Sequence, residues 1–135
     1  MNQPSDQPVL QTIGVIHSEL KSLDGCPLQG QEGAPEAWLE LGPAYVAGID
    51  NMKPGSEIIL LTWFHQANRS VVKCYPRKQT EAPHVGVFTT RSPDRPNPIG
   101  MHQVTVQEIA PGGKIKVYPL EALDGTPVID IKPVI

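Results

Sequence analysis

Cysteine is nearly absent from this chain: Cys26 and Cys74 are the only two among 135 residues, and no CxxC spacing links them. A disulfide framework or a thiolate zinc site is therefore not expected, no other metal cluster suggests itself, and a cytoplasmic location fits best. Long apolar runs are missing as well. No stretch approaches twenty residues, and the N-terminus shows no basic, apolar, small-residue leader, so neither membrane spanning nor secretion is expected. The signatures GxGxxG after a strand, GxxxxGKS/T, GxSxG and HExxH do not occur, and no pair of carboxylates singles itself out by spacing. These absences exclude the nucleotide-binding α/β folds. A nucleotide-like ligand would have to be held by loops on a β scaffold, through backbone groups, an apolar wall and a few charged side chains.

What the chain does have is 15 prolines and 12 glycines, which make turns plentiful and long helices improbable. Residues 1–8 read as a disordered lead-in and residues 9–135 as a single domain. A strand is expected over Leu10 to His17, then a long loop from Ser18 to Pro35, of the length usually reserved for function. Ala37 to Leu41 alternates as a strand, and Pro43 to Met52 has room for one or two helical turns. Glu57 to His65, EIILLTWFH, is nearly continuous in apolar residues and predicts a strand buried on both faces. Val71 to Tyr75 and Met101 to Ile109 are further strands. The latter turns at Pro111-Gly112-Gly113 into Lys114 to Tyr118, and a second turn over Leu123 to Pro127 leads to Val128 to Ile131, with Ile129 and Ile131 inward. Six or seven short strands predict a mainly all-β fold: a small antiparallel barrel with long functional loops and at most one short helix.

The most distinctive stretch is Gly86 to Gly100, GVFTTRSPDRPNPIG. It follows a strand-like segment, Val85 to Thr90, and then meets Pro93, Pro96 and Pro98, which steer Ser92, Arg95 and Asn97 away from helix. A stiff loop presenting Arg91 and Arg95 at little entropic cost is expected, and a rigid turn whose arginines are solvated or paired with Asp94 is equally open. Charge is concentrated here. Arg69, Lys73, Arg77, Lys78, Arg91 and Arg95 face only Glu81 and Asp94, a balance of +4 in a chain whose net charge is −3. Such a strip suits a phosphate backbone or ordinary solvation. His65 closes the apolar run as either a hydrogen-bonded boundary residue or a ligand contact.

GVFTTRSPDRPNPIG followed by Met101, LDGTPVIDIKP near the C-terminus, IGVIHS at 13 to 18, Cys26-Pro27-Leu28-Gln29 and LTWFHQ at 61 to 66 together resemble the TsaA-like or TrmO (YaeB) family. The resemblance implies an S-adenosylmethionine-dependent methyltransferase built on a small β-barrel, homodimeric, and acting on N6 of threonylcarbamoyladenosine in tRNA. It implies a cofactor site drawn from Pro27, Gln29, His65, Gln66, Arg91, Met101, Leu120, Glu121, Asp124, Gly125 and Thr126. Within it Arg91 would meet the cofactor carboxylate or line the substrate channel, Met101 the adenine, and Glu121 or Asp124 the amino group or sulfonium. Arg69, Lys73, Arg77, Lys78, Arg95 and Asn97 would form the tRNA-binding set, and His65 or Asp124 could take the acceptor proton. The sequence departs from its relatives at Asp94 and His102, and it ends two residues after IDIKP, where relatives continue into a further domain. Another tRNA, a small-molecule acceptor, or a non-catalytic cofactor-binding module are the alternative readings.

Overall fold

The computed structural model describes residues 7–20, 35–74 and 84–135. Eight strands are present among them: β1 (Gly14–His17), β2 (Ala37–Leu41), β3 (Glu57–Trp63), β4 (Lys73–Cys74), β5 (Val85–Gly86), β6 (Ile99–Ala110), β7 (Lys114–Tyr118) and β8 (Pro127–Pro133). Six of them close into an antiparallel barrel in the order β1-β2-β7-β6-β3-β8, and β4 and β5 form a separate two-stranded ribbon. Closure removes every edge from the main sheet. A 3-10 helix, Pro43–Ile49, follows β2, with Pro43 at its start where a missing N–H is harmless. The interior is filled by Ile16, Leu39, Leu60, Val104, Val106, Ile115, Val117, Leu120 and Val128, all essentially without solvent contact.

Three local expectations change. The apolar run of β3 does not lie between two packed layers: Ile58, Leu60 and Thr62 are buried, whereas Ile59, Leu61 and Trp63 are only half-buried. A barrel strand has one core face. The outer face is apolar because other chain segments cover part of it: Leu10, Thr12, Pro127 and Ile129 line a groove beside Trp63, and the Arg69 guanidinium lies 4.9 Å from the Trp63 ring. In β8 it is Val128, not Ile129, that enters the core with Ile131 packed against it. The ladder between β3 and β8 shifts register between Leu61 and Thr62, which pair with Asp130 and Val128, so Ile129 is the extra residue of a bulge and faces the outer groove. Finally, the strand-like segment Val85 to Thr90 is strand only at Val85–Gly86, and Val87–Thr89 turns as a 3-10 segment.

The registers place the starts and ends of the connections after β1, β3 and β7 at one end of the barrel. The opposite end carries the 3-10 helix and the tight turn at 111–113. Most of the described residues with candidate chemistry therefore stand at one rim.

Candidate functional site

At that rim the segment after β7 is tied to the exits of its neighbours by backbone hydrogen bonds. Gly125 N–H donates to Ile16 O at 2.7 Å, Asp124 N–H to Leu20 O at 2.7 Å, Ile16 N–H to Thr126 O at 2.9 Å, and Leu120 N–H to Pro35 O at 3.1 Å. Leu20 and Pro35, the described residues on either side of 21–34, are thus both tied to the 120–124 segment. Pro27 and Gln29 themselves lie outside the described residues, as do Arg77 and Lys78. Gly125 takes φ +88, a turn conformation that side chains rarely adopt. Leu120 and Thr126 are buried beneath the rim, Leu120 within the core and Thr126 with its hydroxyl donated to Leu123 O at 2.7 Å, so they shape the segment from below.

Beside Asp124 opens a cavity of about 520 Å³, lined by His17, Ser18 and Glu19 at the end of β1, Glu36, Ala37 and Trp38 at the start of β2, and Lys116 of β7. Asp124 Oδ1 accepts the Ser18 N–H at 2.9 Å, which fixes its carboxylate at the wall. Lys116 Nζ is 3.0 Å from Glu36, and His17 Nε2 is 2.9 Å from Glu40. Among the described lining residues Glu19, Glu36 and Asp124 outnumber the single ammonium group of Lys116, an environment suited to a cationic ligand centre. Glu121, half-buried, lies three residues before Asp124.

The remaining predicted cofactor residues are not gathered around this cavity. His65 and Gln66 are exposed just past β3, Arg91 is exposed after the 3-10 segment, and Met101 is 51% exposed on the outer barrel face opposite Leu61. Inside the same rim His102 packs closely: its Nε2 is 2.9 Å from Thr62 Oγ1, and its ring meets Phe64 edge-on with centroids 5.9 Å apart. Burial pulls the His102 imidazole down from 6.5 to about 4, so it is neutral near pH 7. Gly100 makes this packing possible, because a Cβ there would lie 2.5 Å from both the Phe64 ring and Thr62 Oγ1.

Of the predicted phosphate-binding set, three residues are engaged within the 64–98 connection itself. Arg69 donates from Nε to Pro96 O at 2.8 Å and from Nη2 to Asn97 Oδ1 at 3.3 Å, while stacking on Trp63. Arg95 donates from Nη2 to the carbonyls of Val87 and Thr90. Asp94 accepts the Asn68 N–H at 2.9 Å, so the acid expected to pair with an arginine instead clips two limbs of the connection together. Among the described residues of that set Lys73 is an exposed cation not engaged in the connection, and Arg91, expected at the cofactor, is a second exposed cation.

The family model described as the tRNA-methyltransferase O N-terminal domain matches residues 15–135. The chain belongs to this methyltransferase family. A protein of Archaeoglobus fulgidus named S-adenosyl-L-methionine-binding protein is 40% identical over 124 residues, covering 92% of this chain and 87% of its own. One of Methanothermobacter thermautotrophicus, named "Probable S-adenosyl-L-methionine-binding protein", is 39% identical over 92% of this chain and 88% of its own. The crystal structure of TrmO from Pseudomonas aeruginosa superimposes with a TM-score of 0.76 at 30% identity, covering 96% of this chain and 56% of that one. The chain thus spans nearly all of these two archaeal relatives and about half of the bacterial TrmO.

Within this tRNA-methyltransferase O family fold, the cavity residues His17, Glu36, Trp38 and Lys116 escaped the sequence reading. His17 lies inside a block that carried the resemblance, but the pairing of β1 with β2 that sets His17 opposite Trp38 has no local signal. Glu36 and Lys116 look like ordinary solvated charges until β2 and β7 are placed side by side.

Proposed function

We propose that the protein is an S-adenosylmethionine-dependent methyltransferase whose acceptor is N6 of threonylcarbamoyladenosine in tRNA. The observation that carries this reading is the match of the tRNA-methyltransferase O domain to residues 15–135, combined with a carboxylate-rich cavity at the loop-bearing rim. The cavity's chemistry fits the cofactor. Its size falls within the range of ordinary small-molecule sites, and Glu19, Glu36 and Asp124 suit the ammonium and sulfonium centres, Lys116 the carboxylate and Trp38 a flat apolar ring. The bound cofactor supplies an already activated methyl group. The chain's own work is then to orient and to exclude water: Asp124, held by the Ser18 N–H, positions the cationic end.

The outer face of β3 and β6, with Ile99 and Met101 exposed beside the half-buried Leu61, supports a homodimer in which Met101 serves the partner's site. Replacing Met101 by Lys should then yield monomers in sedimentation, and an unchanged dimer would remove this face from the interface. A second reading, a cofactor-binding module or a methyltransferase of small molecules, draws on relatives named only for cofactor binding. The deciding experiment is calorimetric titration with S-adenosylmethionine, followed by transfer of labelled methyl to tRNA with and without the threonylcarbamoyl group. Label in the modified tRNA alone is expected. Binding without transfer to either tRNA would favour the second reading.

A further inference from the structure

The turn Val87–Thr89 buries one side chain and displays the next. Val87 has no solvent contact and its N–H donates to Val72 O at 2.8 Å, whereas Phe88 is 78% exposed. The display is built into the turn. The Arg95 guanidinium holds the carbonyls of Val87 and Thr90, Thr90 Oγ1 donates to Val87 O at 2.8 Å, and Thr89 Oγ1 donates to Gly86 O at 2.7 Å. These donors fix the backbone on both sides of Phe88. A large apolar ring is thus held outward on a rigid support, a costly arrangement unless something covers it.

The surroundings say what kind of cover. Val72, 59% exposed, adjoins the turn through the Val87 hydrogen bond, and Lys73 pairs with Gly86 across the β4–β5 ribbon, two residues from Phe88. Arg91 follows three residues later, exposed. An aromatic face flanked by cations matches a single-stranded nucleic acid, whose bases stack on the ring while its phosphates meet the charges. A protein partner would be met better by an uncharged surround, and this segment is the most cationic in a chain of net charge −3.

We propose that Phe88 is a stacking platform for an unpaired base of the RNA substrate, with Lys73 as a phosphate contact beside it. This deepens the tRNA reading given above and rests on it. It differs from the cofactor cavity in both residues and chemistry.

The test measures binding of an anticodon stem-loop oligoribonucleotide by fluorescence anisotropy over a range of salt, for wild type, Phe88→Ala, Phe88→Leu, Phe88→Trp and Lys73→Gln. Stacking is insensitive to salt, so Phe88→Ala and Phe88→Leu should each weaken binding by about tenfold with the salt slope unchanged. Lys73→Gln should lower that slope by about 0.7. Phe88→Trp should bind like wild type, with its indole fluorescence quenched on addition of RNA. All variants should keep wild-type melting temperature and S-adenosylmethionine affinity, since the ring is outside the core. Wild-type affinity in Phe88→Ala would overturn the platform while leaving the tRNA reading intact, and wild-type affinity in Phe88→Leu would reduce it to a non-aromatic contact. Loss of self-association by Phe88→Ala in sedimentation would assign the ring to a copy interface instead. Failure of wild type to bind RNA at all would remove the platform and the tRNA reading together.

Discussion

His102 combines a titratable ring with an enclosed position, and its behaviour follows from that pairing. Its folded value, about 4, lies below the 6.5 of an exposed imidazole, so the unfolded chain takes up the proton first. Stability is complete above about pH 6.5 and declines as pH falls toward 4, by about 3 kcal/mol in total. Urea denaturation across this range should show the slope in wild type and lose it in His102→Gln; superimposable profiles would mean that other groups govern acid sensitivity. Gly100 shares the same enclosure. Gly100→Ala should lower stability by about 1–3 kcal/mol through forced displacement of Phe64 or Thr62, measurable by thermal melting. The sequence marked His102 as a departure from its relatives and Gly100 as the end of its most distinctive stretch. What it could not show was that the two side by side explain one another, because the contact with Thr62 crosses from β6 to β3.

Among the elements, the 64–98 connection was partly legible. Pro93, Pro96 and Pro98 announced stiffness and its arginines announced a basic strip, yet Arg69, Arg95 and Asn97 are engaged inside the loop, because loop carbonyls outside any strand ladder take donors from side chains. The same point locates a testable weakness. Arg95→Ala should speed hydrogen exchange and proteolysis over 87–95 while leaving the melting of the barrel nearly unchanged, since the clamped carbonyls belong to the loop alone. An equal loss of protection across β3 and β6 would show that the loop and barrel unfold together. In β8 the error over Ile129 has a comparable origin: alternation is counted within a strand, whereas a bulge is imposed by the neighbour. The turn over 123–127 was legible, while the ligand role of 120–126 came only from the family resemblance; Asp124 stands at a cavity wall. Asp124→Asn should weaken S-adenosylmethionine binding by about tenfold in calorimetry while keeping the fold, because the amide oxygen can still accept the Ser18 N–H.

For the molecule as a whole, the barrel was readable from strand spacing and turn residues, and its closure was anticipated without the strand order. Burial of alternate residues on six strands is a local pattern; which strand lies beside which is not. That missing information concealed the cavity, whose walls come from β1, β2 and β7. It also concealed how the chain is polarised. β8 runs away from the rim, and Val134 N–H is fastened to Glu57 O at 3.2 Å at the far end. Six residue steps of strand therefore separate Pro127 at the rim from Pro133, a span of about 20 Å. Anything joined behind Ile135 sets out from the pole remote from the cavity. A fluorescent reporter fused there would ride on the barrel without obstructing it, and a module that must handle the proposed RNA substrate has to fold back along the wall or reach across to a neighbouring copy.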